Sequence, residues 1–474
     1  MRGAPQTLDP ALLEAIVDAG TVAVIGASSN PEALSGRPID YLRHHGYRGR
    51  VYPVNPMRPE VQGHKSYPSI SDVPETVDLA MVAVRAELVP GALRECIDAG
   101  VRAAVIVSSG FGEGRGDGAA LRDEIRSVID GQPIRVLGPN CEGILSVPNR
   151  MPLTFSPVLE PGGDGRGLTA GDLAIVSQSG GLGYAVAQAG AEVGLGVNYV
   201  FSTGNEVDLD VLAVAEAAVE RRDVRLLALI FEGFDDHARA VRLGRRARAL
   251  GKHVVAAKLG RSAAGRGAAR RHTCHDAGEP ATYQALLAEA GIHEAVDQTA
   301  LVDALQVLAK ARPMAGTRVA IVTTSGGAGV WMADACDAVG LDVPVLSDAL
   351  RAAISSNLPG YGSPHNPVDL TAQFFTAGTF TEVLEALSAS GEVDAAVVVT
   401  SLTSTGRLER ERDGMHRLLA THPMPLVVFT YTAPAPTNVE ILWDLGVPYF
   451  PSSRRAAEAL ACLARAGAVI PHSR

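Results

Sequence analysis

The chain has 474 residues, roughly three times the ~150 of a typical domain, which argues against a single-domain protein. With 52 acidic against 42 basic residues, a formal charge of −10, and 47% hydrophobic but only 20% charged residues, the composition argues against disorder and against nucleic acid as a partner. No run approaches the ~18 uninterrupted apolar residues of a membrane span, the first residues lack a basic-then-apolar signal, and five scattered cysteines form no CxxC pair; no membrane attachment, no metal site and a reducing cytoplasm are expected.

Apolar, β-branched runs at 22–25, 51–54, 79–84, 104–107 and 135–137 alternate with helical segments such as 38–45 and 91–99. That alternation predicts parallel strands joined by right-handed crossovers, hence a doubly wound α/β domain over 8–150. The first run ends in Gly26-Ala27-Ser28-Ser29-Asn30, and the next helix is predicted to start near Gly36 to Pro38. Small residues there let backbone N–H groups approach a phosphate, and the helix N-terminus adds a favourable dipole; a turn serving only chain reversal is the alternative. The glycine pattern is not GxGxxG, and the second run ends in Val54-Asn55-Pro56 with Arg58 beyond, where a nicotinamide site wants an acid. The edge therefore suits a phosphorylated nucleotide other than NAD, and a nicotinamide oxidoreductase is the weakest reading.

A glycine-rich stretch at 160–172 reads as a linker, and a strand at 173–176 opens a second unit. The string DLAIVSQSGGLGYAVAQAGAEVGLGV from Asp172 returns as RVAIVTTSGGAGVWMADACDAVGLDV from Arg318, 146 residues on. Both read as strand, SGG turn, helix and strand, predicting two related α/β domains over 171–312 and 313–474. Ser179-Gly180-Gly181 is predicted to open a helix whose free N–H groups bind an anion, with a plain cap as the alternative; the repeat copy Ser325-Gly326-Gly327 has the same local chemistry. Asn140, in VLGPNCEG, offers an amide to an acyl carbonyl or phosphate, and Glu232 follows the apolar run 226–231 on the ligand edge. Glu206, Asp208 and Asp210 read as helix-start acids in preference to a cation site. Asn366-Pro367 reads as a turn, with Asp369 capping or packing.

The string VAVIGASSNPEALSGRPIDYLRHHGYRGRVYPVNP resembles the CoA-binding domain of nucleoside-diphosphate-forming acyl-CoA synthetases, the family of acetate–CoA ligase (ADP-forming) and succinyl-CoA synthetase. The resemblance implies a Rossmann-like CoA-binding domain followed by two flavodoxin-like α/β domains. It implies that Gly26, Ala27, Ser28, Ser29, Asn55, Pro56, Arg58, Val84 and Ser109 line CoA, and that Asn140, Gln178, Ser179, Gly180 and Gly181 face phosphate or the acyl group. In the segment KLGRSAAGRGAARRHTCHDAGEPATY, the elements Gly260-Arg261-Ser262, His272-Thr273, Ala277-Gly278 and Tyr283 keep the spacing of the family's phosphohistidine loop. The resemblance then makes His272 the phosphorylated residue and Glu232 the carboxylate that holds its imidazole, whose neutral form is a competent nucleophile near pH 7. His275 reads as an exposed loop residue. Arg271 and Cys274 depart from the serine and glycine usual beside that histidine.

Nothing in the sequence resembles the family's ATP-grasp domains. The expected partners are therefore acyl-CoA, phosphate, and an ATP-grasp β subunit carrying ATP/ADP and Mg, a homo-oligomer, or both. A catalytically silent CoA or acyl-CoA sensor or scaffold is the alternative.

Overall fold

The computed structural model describes residues 7–112, 118–162, 168–272, 277–372, 379–422 and 424–469. They form two compact units, Met1–Leu301 and Val302–Arg474. No helix among the described residues is long and apolar enough to cross a membrane.

The first unit holds two sheets. One is wholly parallel, in the order Arg50–Val54, Thr21–Ile25, Leu79–Val82, Ala103–Ile106, Arg135–Leu137. Its strand order reverses between Thr21–Ile25 and Leu79–Val82, and in such sheets ligands bind at the carboxyl ends beside the reversal. Thr21–Ile25 and Leu79–Val82 are buried throughout, as expected for strands covered by helices on both faces. Helix Arg37–His44 begins after Gly36, as the sequence predicts.

The second sheet runs His293–Ala295, His253–Lys258, Leu226–Phe231, Leu173–Ser177, Val197–Ser202 in parallel, the same winding again. A hairpin, Gly143–Ser146 with Met151–Thr154, then adds antiparallel to Val197–Ser202. Sequence reading misses this hairpin, which straddles residue 150: it follows the first sheet in the chain but completes the second. Helix Arg37–His44 of the first sheet packs on its outer strand, and helix Pro10–Val17 packs on helix Val211–Glu220, so one apolar core runs under both sheets.

The sheets are also tied end to end. The backbone N–H groups of Asn205, Val207 and Leu209 donate to the carbonyls of Pro139, Gly138 and Val136. Between them Asp208, its side chain 3% exposed, takes two hydrogen bonds of 2.9 Å from the Arg135 guanidinium and one of 2.7 Å from the Val136 N–H. Of the three acids read as helix-start residues, only Asp210 caps helix Val211–Glu220, accepting from the Ala213 N–H. Asp208 bridges the sheets, and Glu206 accepts from Thr203, Gln178 and the Val211 N–H.

The second unit carries a third parallel sheet, ordered Val368–Asp369, Val319–Thr323, Ala395–Thr400, Leu426–Thr430, Tyr449–Phe450. Strand Val319–Thr323 and helix Gly326–Ala338 reproduce strand Leu173–Ser177 and helix Gly180–Glu192, so the internal repeat is a repeat of structure. Ser325 is the N-cap residue but its side chain makes no capping bond; the Thr323 hydroxyl takes the Ser325 N–H instead. Asn366 bonds the Ile321 N–H and the carbonyls of Val319 and Pro344, a cross-link beyond the turn role read from the sequence.

Removing one partner of a buried ion pair leaves the other charge uncompensated, a loss of about 3–5 kcal/mol. Asp208→Ala is therefore expected to destabilise the first unit by that amount in urea unfolding, against about 1 kcal/mol for loss of the cap of helix Pro10–Val17 in Asp9→Ala. Equal effects of the two substitutions would show that the Arg135–Asp208 tie contributes no more than a cap.

Candidate functional site

At the reversal point of the first sheet, Gly26 follows strand Thr21–Ile25 with φ of +87°. A Cβ there would lie 2.5 Å from the Ala83 carbonyl oxygen and 2.8 Å from Val84 Cγ1, so only glycine lets the two strand ends close up. Ala27 is buried, and its carbonyl accepts from the Asn55 side chain at 2.9 Å, while Asn55 Oδ1 takes the Met57 N–H. Asn55 thus braces two strand ends and leaves Pro56, Met57 and Arg58 exposed beyond them. Ser28 caps its own turn by accepting from the Asn30 N–H, and Ser29 is exposed. The result is a glycine-lined edge with free hydroxyl and guanidinium groups beside a bare methionine, 84% exposed, which matches a ligand with phosphates and an apolar arm.

Hydrogen bonds carry this edge into the second sheet. The Ser108 hydroxyl donates to the Val84 carbonyl, the Asn140 N–H donates to the Ser108 carbonyl at 2.9 Å, and the Asn140 side chain donates to Asn205 Oδ1 at 3.4 Å. Ser109, next to Ser108, is exposed. Val84, among the candidate CoA residues, and Asn140 therefore share one hydrogen-bonded seam.

Across the seam lies helix Gly180–Glu192. Ser179 is its N-cap residue, and its side chain makes no capping bond. Gly181 is exposed, so the first turn is open. Gln178 differs from expectation. It is 1% exposed; its Nε2 donates to Glu206 and the Gly233 carbonyl, and its Oε1 accepts the N–H groups of Glu232 and Gly233. With both amide atoms fully bonded inside the protein, Gln178 fixes the strand end that carries Glu232 and has no group left for phosphate or acyl.

Glu232, 5% exposed, stands at the carboxyl end of Leu226–Phe231 as the sequence predicts. The neighbouring strand closes with Lys258, which sequence reading passes over although the rule that selects Glu232, a charge ending an apolar strand, applies to it equally. Lys258 is 2% exposed; its Nζ donates to the Leu259 carbonyl and lies 5.0 Å from the centre of the Tyr283 ring. Tyr283 in turn exchanges hydrogen bonds of 3.0 Å with the backbone of Phe234, holding the turn after Glu232. Helix Ala263–His272 leaves from this same edge, and the chain returns to it where Ala277 packs against Gly260. The side chain of His272, with Thr273, Cys274 and His275, lies outside the described residues.

A second group missed in the sequence is Glu142, in the quoted VLGPNCEG string. It is 8% exposed, and its Oε2 lies 3.1 Å from where a Cβ on Gly180 would be. Burial raises its pKa, against the Ser156 hydroxyl, which lowers it. In the repeat, Asp369 holds the matching place, 3.2 Å from a Cβ on Gly326.

Burial pushes the Lys258 ammonium down to about 8, with the Glu232 carboxylate opposing and Arg261 and Arg266 assisting. Between pH 8 and the ordinary 10.5, the unfolded chain holds a proton on Lys258 that the folded chain has released, so stability rises with pH across that window. The stability of the wild type relative to Lys258→Met is expected to rise by up to ~3 kcal/mol over it, read by urea unfolding at stepped pH. A flat difference would show that Lys258 titrates as in water.

Three families of domain match the chain: a CoA binding domain over residues 20–146, a succinyl-CoA ligase like flavodoxin domain over 170–308, and a ligase-CoA domain over 319–382. The chain is 30% identical over 458 residues to the acetate–CoA ligase [ADP-forming] I subunit alpha of Pyrococcus furiosus, covering 95% of this chain and 97% of that one. It is 35% identical over 388 residues to the acetate–CoA ligase [ADP-forming] I of Archaeoglobus fulgidus, covering 82% of this chain but only 54% of that protein. The structure superposes on the dinucleotide-forming acetyl-coenzyme A synthetase 1 of Ca. Korarchaeum cryptofilum, solved with phosphate and ADP, with a TM-score of 0.86 and 28% identity over 97% of this chain and 98% of that one. Three α/β sheets in this order, matched nearly end to end by an α subunit, make the chain a member of the NDP-forming acyl-CoA synthetase family.

Proposed function

We propose that the chain works as the α subunit of an NDP-forming acyl-CoA synthetase, interconverting acyl-CoA, phosphate and NDP with the free acid, CoA and NTP. The observation that carries this is the seam from Val84 through Ser108 to Asn140 and Asn205, which ties the edge suited to CoA to the second sheet, at whose carboxyl edge the turn at Ser179 opens, within one compact unit.

In this reading Gly26, Ala27, Ser28, Ser29, Asn55, Pro56, Arg58, Val84 and Ser109 receive CoA. The close approach of the Gly26 and Val84 strand ends and the exposed Arg58 fit that ligand. Asn140 donates to the thioester carbonyl, and the N–H groups at Ser179, Gly180 and Gly181 hold phosphate. A phosphate oxygen attacks the carbonyl carbon, the C–S bond breaks, and CoA leaves as the thiol with the proton from phosphate. The His272 imidazole then attacks phosphorus, the bond to the acyl oxygen breaks, and the free carboxylate departs. Glu232, fixed by Gln178 and Tyr283, takes the hydrogen bond of the other ring nitrogen, while Lys258 beside it offsets the added negative charge. An ATP-grasp β subunit with Mg passes the phosphoryl group to ADP or GDP. The reading places this work in the cytoplasm, where Cys96, Cys141, Cys336 and Cys462, all buried free thiols, stay reduced.

The isolated chain, given acyl-CoA and labelled phosphate, is expected to gain an acid-labile, base-stable label that His272→Ala abolishes. Glu232→Gln is expected to slow labelling by at least about tenfold, or ~1.4 kcal/mol in the barrier. Label that survives His272→Ala overturns the covalent role; CoA binding with no label even when the β subunit is added favours the sensor alternative.

A further inference from the structure

Two acids of this edge have no part in the reaction sequence above: Glu206, whose carboxylate is taken up by Gln178, Thr203 and the Val211 N–H, and Glu142. Glu142 sits on the first turn of helix Gly180–Glu192, where only the absence of a side chain at Gly180 admits it: a Cβ there would be 2.9 Å from Glu142 Cβ. Its backbone is pinned on both sides, the N–H donating to the Ser202 hydroxyl at 3.1 Å and the carbonyl accepting from Thr154. The buried Ser156 hydroxyl hydrogen-bonds it, and the buried Tyr184 and Tyr41 hydroxyls and the Cys141 thiol, which burial pushes up to about 12, lie within reach of its field. The Tyr41 hydroxyl has no hydrogen-bond partner among the described residues. No Lys or Arg pairs with Glu142 among them, so the carboxyl meets burial and neutral donors but no balancing cation.

We infer that Glu142 is a specificity-determining residue for the acyl group, setting the cleft against acyl chains that end in a second carboxylate. This rests on the acyl thioester lying between Asn140 and the Ser179 turn, as proposed above. In that reading phosphate meets the open outer side of the turn, at Gly181, and an acyl chain continuing past the carbonyl runs toward its buried side, where Glu142 packs against Gly180. A second carboxylate there is set against a like charge in a site of low dielectric, with no cation to relieve it, while a neutral chain meets no such repulsion.

The test is calorimetric binding of free CoA, butyryl-CoA and succinyl-CoA to the full chain; the two thioesters have acyl chains of equal length and differ in the terminal methyl or carboxylate. The wild type is expected to bind butyryl-CoA roughly tenfold or more tighter than succinyl-CoA, and Glu142→Gln to bring that ratio within about threefold. The ratio is taken within each variant, so a general loss of affinity leaves it readable, and Glu142→Met repeats it without a polar end. A wild-type ratio near one with CoA bound, or a ratio that both substitutions leave intact, overturns the inference. Failure of the wild type to bind free CoA overturns the reading on which it rests.

Discussion

The tie between Arg135 and Asp208 is the constraint on which the site depends. Each sheet of the first unit brings half of the candidate site to its carboxyl edge, and such edges can act together only if held in one register. A buried bidentate pair, flanked by three backbone hydrogen bonds from residues 205–209 to residues 136–139, fixes that register. Because the pair lies between the strand that ends the first sheet and the loop that follows Val197–Ser202, any slip of one sheet against the other must break it. Asn140 and Asn205, which face each other at the seam, sit within a few residues of the tie.

The second feature is the distribution of charge. One edge gathers Glu142, Glu206 and Glu232, all largely buried, against Lys258 and the open N-terminus of a helix. Glu206 is saturated by donors and serves the backbone, while Glu232 is presented on a turn that Gln178 and Tyr283 hold from either side. Fixing a carboxylate in this way limits the reorganisation needed when a charged group arrives. The repeat in the second unit keeps the strand, the turn, the helix and even an acid, Asp369, against the first glycine, and in both copies the hydroxyl that ends the strand, Ser177 or Thr323, donates to the carbonyl of the N-cap serine. What differs between the copies is the set of residues at the neighbouring strand ends, where the first copy has Glu232 and Lys258.

Much of this was legible in the chain itself. Alternating apolar runs placed the strands at 22–25, 51–54 and 226–231 within a residue of Thr21–Ile25, Arg50–Val54 and Leu226–Phe231, because strands of a parallel sheet covered on both faces are written as near-continuous apolar runs. The repeat at 172 and 318 announced two copies of one fold, and a charge after an apolar run marked Glu232. Such signals are local, and local patterns are what sequence periodicity records.

Partnership was not legible. The sequence put Gln178 among ligand contacts, but only the folded chain shows its amide surrounded by the backbone of Glu232 and Gly233 and the carboxylate of Glu206. It grouped Glu206, Asp208 and Asp210 as helix-start acids, while folding sends each to a different donor, one of them across to the other sheet. It gave the hairpin at 143–154 no sheet, since an antiparallel pair can extend any free edge that its register fits. The sequence by itself thus determined the elements and their winding, which depend on neighbours in the chain. Only tertiary structure decided what each polar side chain meets, because hydrogen bonds and ion pairs form between residues that the fold, and not their spacing, brings within reach.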